Sequence, residues 1–382
     1  MSVAAPSRPP RPPDSAAEAY RLFAAARFEH LTLNDAYQQI ARRLAPGVPP
    51  SIVVLEGSTG VGKTTLAEDV VRRVREGAIG PSGPSACPVV STICPPAGRN
   101  GFAFDMTFWH CLARSACSPV PHAHRHPDAE AARLHHGFVS GMRPTLESTR
   151  RGALEFLRAR SVRLVVIDES QHMADGSGGQ SLARQLDVIK TSVDLSEVTF
   201  LLVGTYALRA VVMPNGQLAR RSSVVHFRPY QLDVEGDLKA FEEIFSQLVQ
   251  ALPLAAPERT LNAVENHTEE ILFYCAGCVG VLKEWLLAAL QQALEDARTH
   301  IPLSLLREKR PDNSTLLGIA SDIYAYREDR SRATRSEIER KLGYGPKPIR
   351  SPTRSKSPTS SKSSLKPRRK PGVRAPARDP VY

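Results

Sequence analysis

The stretch SIVVLEGSTGVGKTTL, Ser51 to Leu66, restricts what this chain can fold into more than any other. Ser51 to Leu55 is a mostly β-branched apolar run, the composition of a strand buried on both faces. The pattern G-x-x-x-x-G-K-[ST] follows directly, with Gly57, Gly62, Lys63 and Thr64 at its fixed positions and Ser58, Thr59, Gly60 and Val61 between them. Glycines there let the backbone curl so that successive N–H groups point at one anion. Thr64, Thr65 and the residues to Val74 read as a helix whose positive end adds to the same site. Strand, glycine-rich turn and helix together predict a phosphate-binding loop, with Lys63 for the β- and γ-phosphates and the Thr64 hydroxyl for Mg²⁺.

A second chemical signal lies at the end of another apolar run. Val162 to Ile167 leads straight into Asp168-Glu169. An acidic pair closing a buried strand is costly without a compensating cation. In a phosphate-loop protein that cation is nucleotide-bound Mg²⁺, which assigns Asp168 to the metal shell and Glu169 to the attacking water. Thr199 to Val203 is a further buried strand ending at Gly204-Thr205. Ligands gather at the carboxyl ends of parallel strands, so Thr205 is placed to meet a γ-phosphate or the water. Pro88 to Thr92 and Val224 to Phe227 supply two more short strands.

The remaining chain divides by composition. Residues 1–15 are Pro-rich and read as disordered; 16–50 form a helical segment that ends at Pro46 to Pro50. The α/β core spans 51–232. Residues 233–300 show no strand pattern and read as an all-helical lid built from Asp237–Leu252, Glu258–Cys275 and Val279–Thr299. A less regular helical extension covers 301–345, and 346–382 is a Ser-, Pro-, Lys- and Arg-rich tail. That tail holds five Lys and six Arg against one Asp, almost all of the chain's net charge of +11. The body is therefore close to neutral, and a nucleic-acid surface on it has to be a local patch. Two smaller signals stand apart. Cys275 and Cys278 have a metal or redox spacing but fall inside a helical pattern, where core packing is the better account. His110, Cys111, Cys117, His122, His124 and His126 match no standard zinc spacing. No apolar run is long enough to span a membrane, prolines occupy the place of a signal-peptide core, and six cysteines do not form a disulfide framework. The expectation is a cytoplasmic protein.

GSTGVGKTT, LVVIDESQH, LLVGT, GQLARR and the lid sequence GCVGVLKEWL together resemble the AAA+ ATPases over roughly Leu31 to Ala297. Among these the chain is most similar to the TnsC/TniB regulators of multi-gene bacterial transposons, and more distantly to IstB helpers and ExeA-type secretion ATPases. The resemblance implies an α/β P-loop NTPase (AAA+) fold with a parallel five-stranded sheet and a C-terminal all-helical lid. It further implies Mg-ATP held by Lys63, Thr64 and Asp168, Glu169 as catalytic base and Thr205 as first sensor. Arg220 or Arg221 matches the arginine finger offered to a neighbouring subunit, with Arg209 a further candidate. Lys283 takes the lid position of a second sensor, where lysine lacks the planar two-pronged contact of arginine. The implied partners are duplex DNA bound without base recognition, a transposase, a target selector and further copies of the chain in a ring or helical filament. Arg99 and Asn100, on the loop after the second strand, are the candidate DNA contacts. The alternative from the same resemblance is an ExeA-like ATPase that assembles a cell-envelope complex without DNA.

Overall fold

The computed structural model describes residues 15–77, 87–94, 146–173, 189–212, 222–332 and 334–342. Helices α1 (Ala16–Ala25) and α2 (Leu31–Arg43) precede strand β1 (Ile52–Glu56). The sequence suggests a helical region from Ala16 to Leu44; the structure breaks it at residues 26–30, where Lys283 and His30 pin the backbone into the core. Then follow α3 (Lys63–Arg75), β2 (Val89–Ile93), α4 (Leu146–Ala159), β3 (Leu164–Asp168) and β4 (Thr199–Gly204). The short α5 (Ala207–Val212) and β5 (Ser222–His226) complete the core.

The five strands form one parallel sheet in the order β2-β3-β4-β1-β5. Strand β1 is buried along its whole length, and its two faces feed two separate cores. Val53 and Leu55 pack with α2, α3 and the lid, while Ile52 and Val54 pack with Phe156, Leu157 and Ile189 on the other face. Each such side chain contributes about 1.5–3 kcal/mol by leaving water. The register sets the carboxyl ends of three strands level, because Glu56 pairs with Gly204 on one side and with His226 on the other. The phosphate loop therefore leaves the sheet between β4 and β5.

The lid is built from α6 (Asp237–Gln250), α7 (Glu258–Val264), α8 (Thr268–Tyr274) and α9 (Val279–Glu295). What the sequence suggests as one helix from Glu258 to Cys275 is two, α7 and α8, separated at Glu265–His267. The crossover from sheet to lid is fixed by the buried Asp237, which takes both guanidinium nitrogens of Arg228 and, at 2.9 Å, the backbone N–H of Gln231. Tyr230 N–H donates to the Gly277 carbonyl at 2.9 Å, and Gly277 (φ +67°) approaches so closely that a Cβ there would overlap the Tyr230 backbone. Helices α10 (Leu303–Glu308) and α11 (Asn313–Arg332) follow; Trp285 Nε1–H donates to the Leu306 carbonyl at 2.7 Å. Within the helical extension expected from the sequence, α11 is one continuous helix of 20 residues. The compact body runs to Asp329, and α12 (Arg335–Leu342) belongs to a second unit from Arg330 to Tyr382. No single helix among the described residues is long and apolar enough to cross a membrane.

His30, just before α2, is 7% exposed; its Nδ1 lies 3.2 Å from the Tyr230 hydroxyl and its ring stacks on Phe227. Burial pulls its pKa from 6.5 to about 4, so the imidazole is neutral in the fold. The unfolded chain takes up a proton below about pH 6.5 that the folded chain refuses until about pH 4. Stability is thus fully present above about pH 6.5 and falls as pH drops toward 4. Urea midpoints should fall by the equivalent of about 2–3 kcal/mol between pH 7 and 4.5 through this group, and His30→Gln should flatten that part of the profile.

Candidate active site

The phosphate loop, residues 57–62, joins β1 to α3. Gly60 (φ +76°) and Gly62 (φ +109°) adopt left-handed backbone that other side chains resist. Gly57 has no room for a Cβ, which would lie 2.6 Å from the Phe227 carbonyl oxygen. Ser58 and Val61 are buried and anchor the loop, whereas Thr59, Thr64 and Thr65 are exposed. Lys63 Nζ donates to the Gly57 and Ser58 carbonyls at 3.0 and 2.8 Å, curled across the loop it belongs to. Burial lowers the Lys63 pKa, and the charges of Glu169, Asp168 and Asp322 act against that shift.

The acidic pair meets the loop. Thr64 Oγ1 donates to Asp168 Oδ2 at 2.9 Å, and Asp168 Oδ1 accepts the Glu169 backbone N–H at 2.8 Å. Two hard oxygen donors side by side at the mouth of a glycine cradle fit a hard divalent cation such as Mg²⁺, which Thr64 and Asp168 would hold. The loop's backbone and the N-terminal end of α3 likewise fit a polyphosphate. Glu169 has φ +54°, a conformation a β-carbon disfavours by roughly 1–2 kcal/mol. Such strain at a strand end concentrates where chemistry is done.

Gln171, which no sequence argument assigned, links the two catalytic candidates. It stands in a short 3₁₀ turn, Ser170–Met173; its Nε2 donates to the Glu169 carboxylate, and its Oε1 accepts the Thr205 N–H at 3.2 Å. A Cβ on Gly204 would strike Gln171, so the glycine ending β4 makes room for this bridge. The signal was present in the DESQH segment but needed the β3–β4 register to be read. Glu56, last residue of β1, is fully buried and lies 3.3 Å from Arg209 Nη1.

The lid touches the loop directly. Val281 N–H donates to the Gly60 carbonyl at 3.2 Å, and Gly280 passes so near that a Cβ would overlap that oxygen. Cys278 Sγ lies 3.3 Å from Ser58 Oγ. Cys275 and Cys278 are both fully buried in the lid core, and burial pushes the Cys278 thiol up to about 11. Lys283 points elsewhere than the sequence suggests: its Nζ donates to the Ala24 and Ala26 carbonyls at 2.7 and 2.6 Å, closing the end of α1. Its partners come from a segment more than two hundred residues away, which α9 packs against. Lys63, Thr64, Asp168, Glu169 and Thr205 are thus brought together, while Lys283 is not. Arg220, Arg221, Arg99, Asn100 and the His- and Cys-rich segment fall outside the described residues.

The family model described as AAA domain matches residues 48–212. No curated protein matches the chain. Among solved structures it is similar to the Aeropyrum pernix ORC2 protein in its ADP form, with 19% identity, a TM-score of 0.50 and coverage of 76% of this chain and 71% of that one. Cdc6p from Pyrobaculum aerophilum is similar at 15% identity and a TM-score of 0.50, covering 76% of this chain and 69% of that one. At these identities the likeness is one of fold: a P-loop AAA+ core of five parallel strands followed by helices.

Proposed function

We propose that this protein is a Mg²⁺-dependent AAA+ ATPase that regulates DNA transposition. In this reading it assembles on duplex DNA in the ATP state, links a target selector to the transposase, and comes apart on hydrolysis. The observation that carries the ATPase part is the convergence of Lys63, Thr64, Asp168 and the Glu169–Gln171–Thr205 bridge at the ends of β1, β3 and β4. Lys63 leaves the loop carbonyls to bind phosphate oxygens, and Thr64 and Asp168 would hold Mg²⁺. The metal ion, when bound, neutralises the charge that develops on the transferred phosphoryl group. Glu169 accepts a proton from the attacking water, and Gln171 sets the carboxylate's direction. Thr205, tied to the same amide, reports the state of the γ-phosphate to β4.

The transposition role is supported by the DESQH, Gly-Thr and L-A-R-R segments and by a near-neutral body followed by a basic tail. A polycation of that kind tethers DNA without reading bases and weakens steeply with salt. Negative-stain imaging with a non-hydrolysable ATP analogue, with and without duplex DNA, tests it. Rings or filaments that need both are the expected result. ATP-dependent rings indifferent to DNA would overturn it in favour of an ATPase that assembles an envelope complex.

A further inference from the structure

Helix α11 packs against the carboxyl ends of β1 and β5, next to the phosphate loop. Tyr326 is its anchor: 6% exposed, its hydroxyl donates to Glu56 Oε1 at 2.8 Å. Its ring stacks on Tyr206 at 4.1 Å and lies 4.4 Å from the His226 ring. The Arg209 guanidinium is 5.6 Å from the Tyr326 ring centroid, and its Nε is 3.8 Å from Asp329 on the same helix. Arg327 adds bonds to Gln231 and, at 3.3 Å, to Asp233. Glu56 immediately precedes Gly57, so the helix grips the residue from which the loop starts.

Helical spacing places Asp322, Tyr326 and Asp329 on one stripe, four and then three residues apart. Asp322 is exposed, and its charge acts on Lys63 together with the larger effects of Glu169 and Asp168. An acidic group there attracts the same ammonium that a polyphosphate needs and repels the polyphosphate itself. The helix's polar anchors include the Tyr326 hydroxyl, Arg209 and Arg327, each bond of modest net strength, beside the buried Leu316 and Ile319.

We propose that α11 is an autoinhibitory strap: anchored through Tyr326 on Glu56, it holds the Asp322 carboxylate beside the phosphate loop, where it opposes the entry of a nucleoside triphosphate. The strap rests on the ATP-site reading given above. A bound triphosphate pushes it away from the strand ends, so that nucleotide occupancy is reported to the C-terminal part of the chain.

The test is a titration of the full chain with a fluorescent ATP analogue, comparing the native protein with Asp322→Asn, Tyr326→Phe and, as a control acid elsewhere, Glu308→Gln. Asp322→Asn should bind about two- to fivefold more tightly at low salt, with the difference shrinking at high salt. Glu308→Gln should match the native protein. Tyr326→Phe keeps the ring stack, loses the bond to Glu56 and should also tighten binding. Hydrogen exchange in 313–329 should speed up when the analogue binds. A native protein that binds, with Asp322→Asn equal or weaker, would overturn the strap while leaving the site intact. Slower exchange in 313–329 on binding would overturn it as well. A native protein that does not bind the analogue at all would overturn the ATP-site reading, and the strap with it.

Discussion

Lys63→Ala should bind ATP at least about a hundredfold more weakly than the native chain, with its fold unchanged. Among the described residues, the lysine is the cation that the structure places with Asp168, Glu169 and the loop carbonyls of Gly57 and Ser58. Without it, an incoming polyphosphate meets the two carboxylates with one fewer positive charge to offset them. The side chain makes no contact on which the cores depend, so far-ultraviolet dichroism and the urea midpoint should stay near native values. Calorimetric titration with ATP and Mg²⁺ measures the loss. An affinity within threefold of native would show that this loop is not the nucleotide site. Assembly on DNA, if it follows the nucleotide, should vanish in the same variant.

Glu169→Gln should behave in the opposite way. The amide keeps the shape of the carboxylate and one acceptor oxygen for Gln171, so ATP should bind within a few-fold of native. It cannot accept the proton of the attacking water, and turnover should fall by about 10²–10⁴. Single-turnover hydrolysis separates the two effects, since binding is complete before the chemistry begins. Any ATP-dependent assembly should then persist for as long as the nucleotide remains uncleaved. A normal rate of turnover would remove Glu169 from the role of base.

The phosphate loop and the acidic strand end were legible because each is a local pattern. Strand, turn and helix lie within a few residues of one another, and burial on both faces writes itself as unbroken Val, Ile and Leu. The five strands show as short apolar runs, while their parallel arrangement in one sheet was an implication of the family resemblance that the structure shows. Other parts depend on contacts between distant segments. Gln171 joins Glu169 to Thr205 only because β3 and β4 pair in one register. Tyr326 reaches Glu56 across 270 residues of chain. Helix α11 reads weakly in sequence because Leu316 and Ile319 face the body while Leu317 and Tyr324 lie exposed, which blurs its periodicity. Lys283 is a further case: a family position suggested the nucleotide, whereas its ammonium bonds the Ala24 carbonyl at the end of α1. The break between α1 and α2 contains neither glycine nor proline, so no residue announces it.

The bond from Val281 N–H to the Gly60 carbonyl has a mechanical consequence. Gly280 and Gly60 are in backbone contact with no side chain between them, so the two segments have no compliant layer to absorb relative movement. A rearrangement of the loop by a few tenths of an ångström is then delivered undamped to the first turn of α9, a helix of 17 residues. At about 1.5 Å of rise per residue that helix is roughly 25 Å long, and such a shift across its first turn becomes a displacement of about 1–2 Å at its far end. The start of α9 therefore follows the backbone of the loop rather than sliding past it.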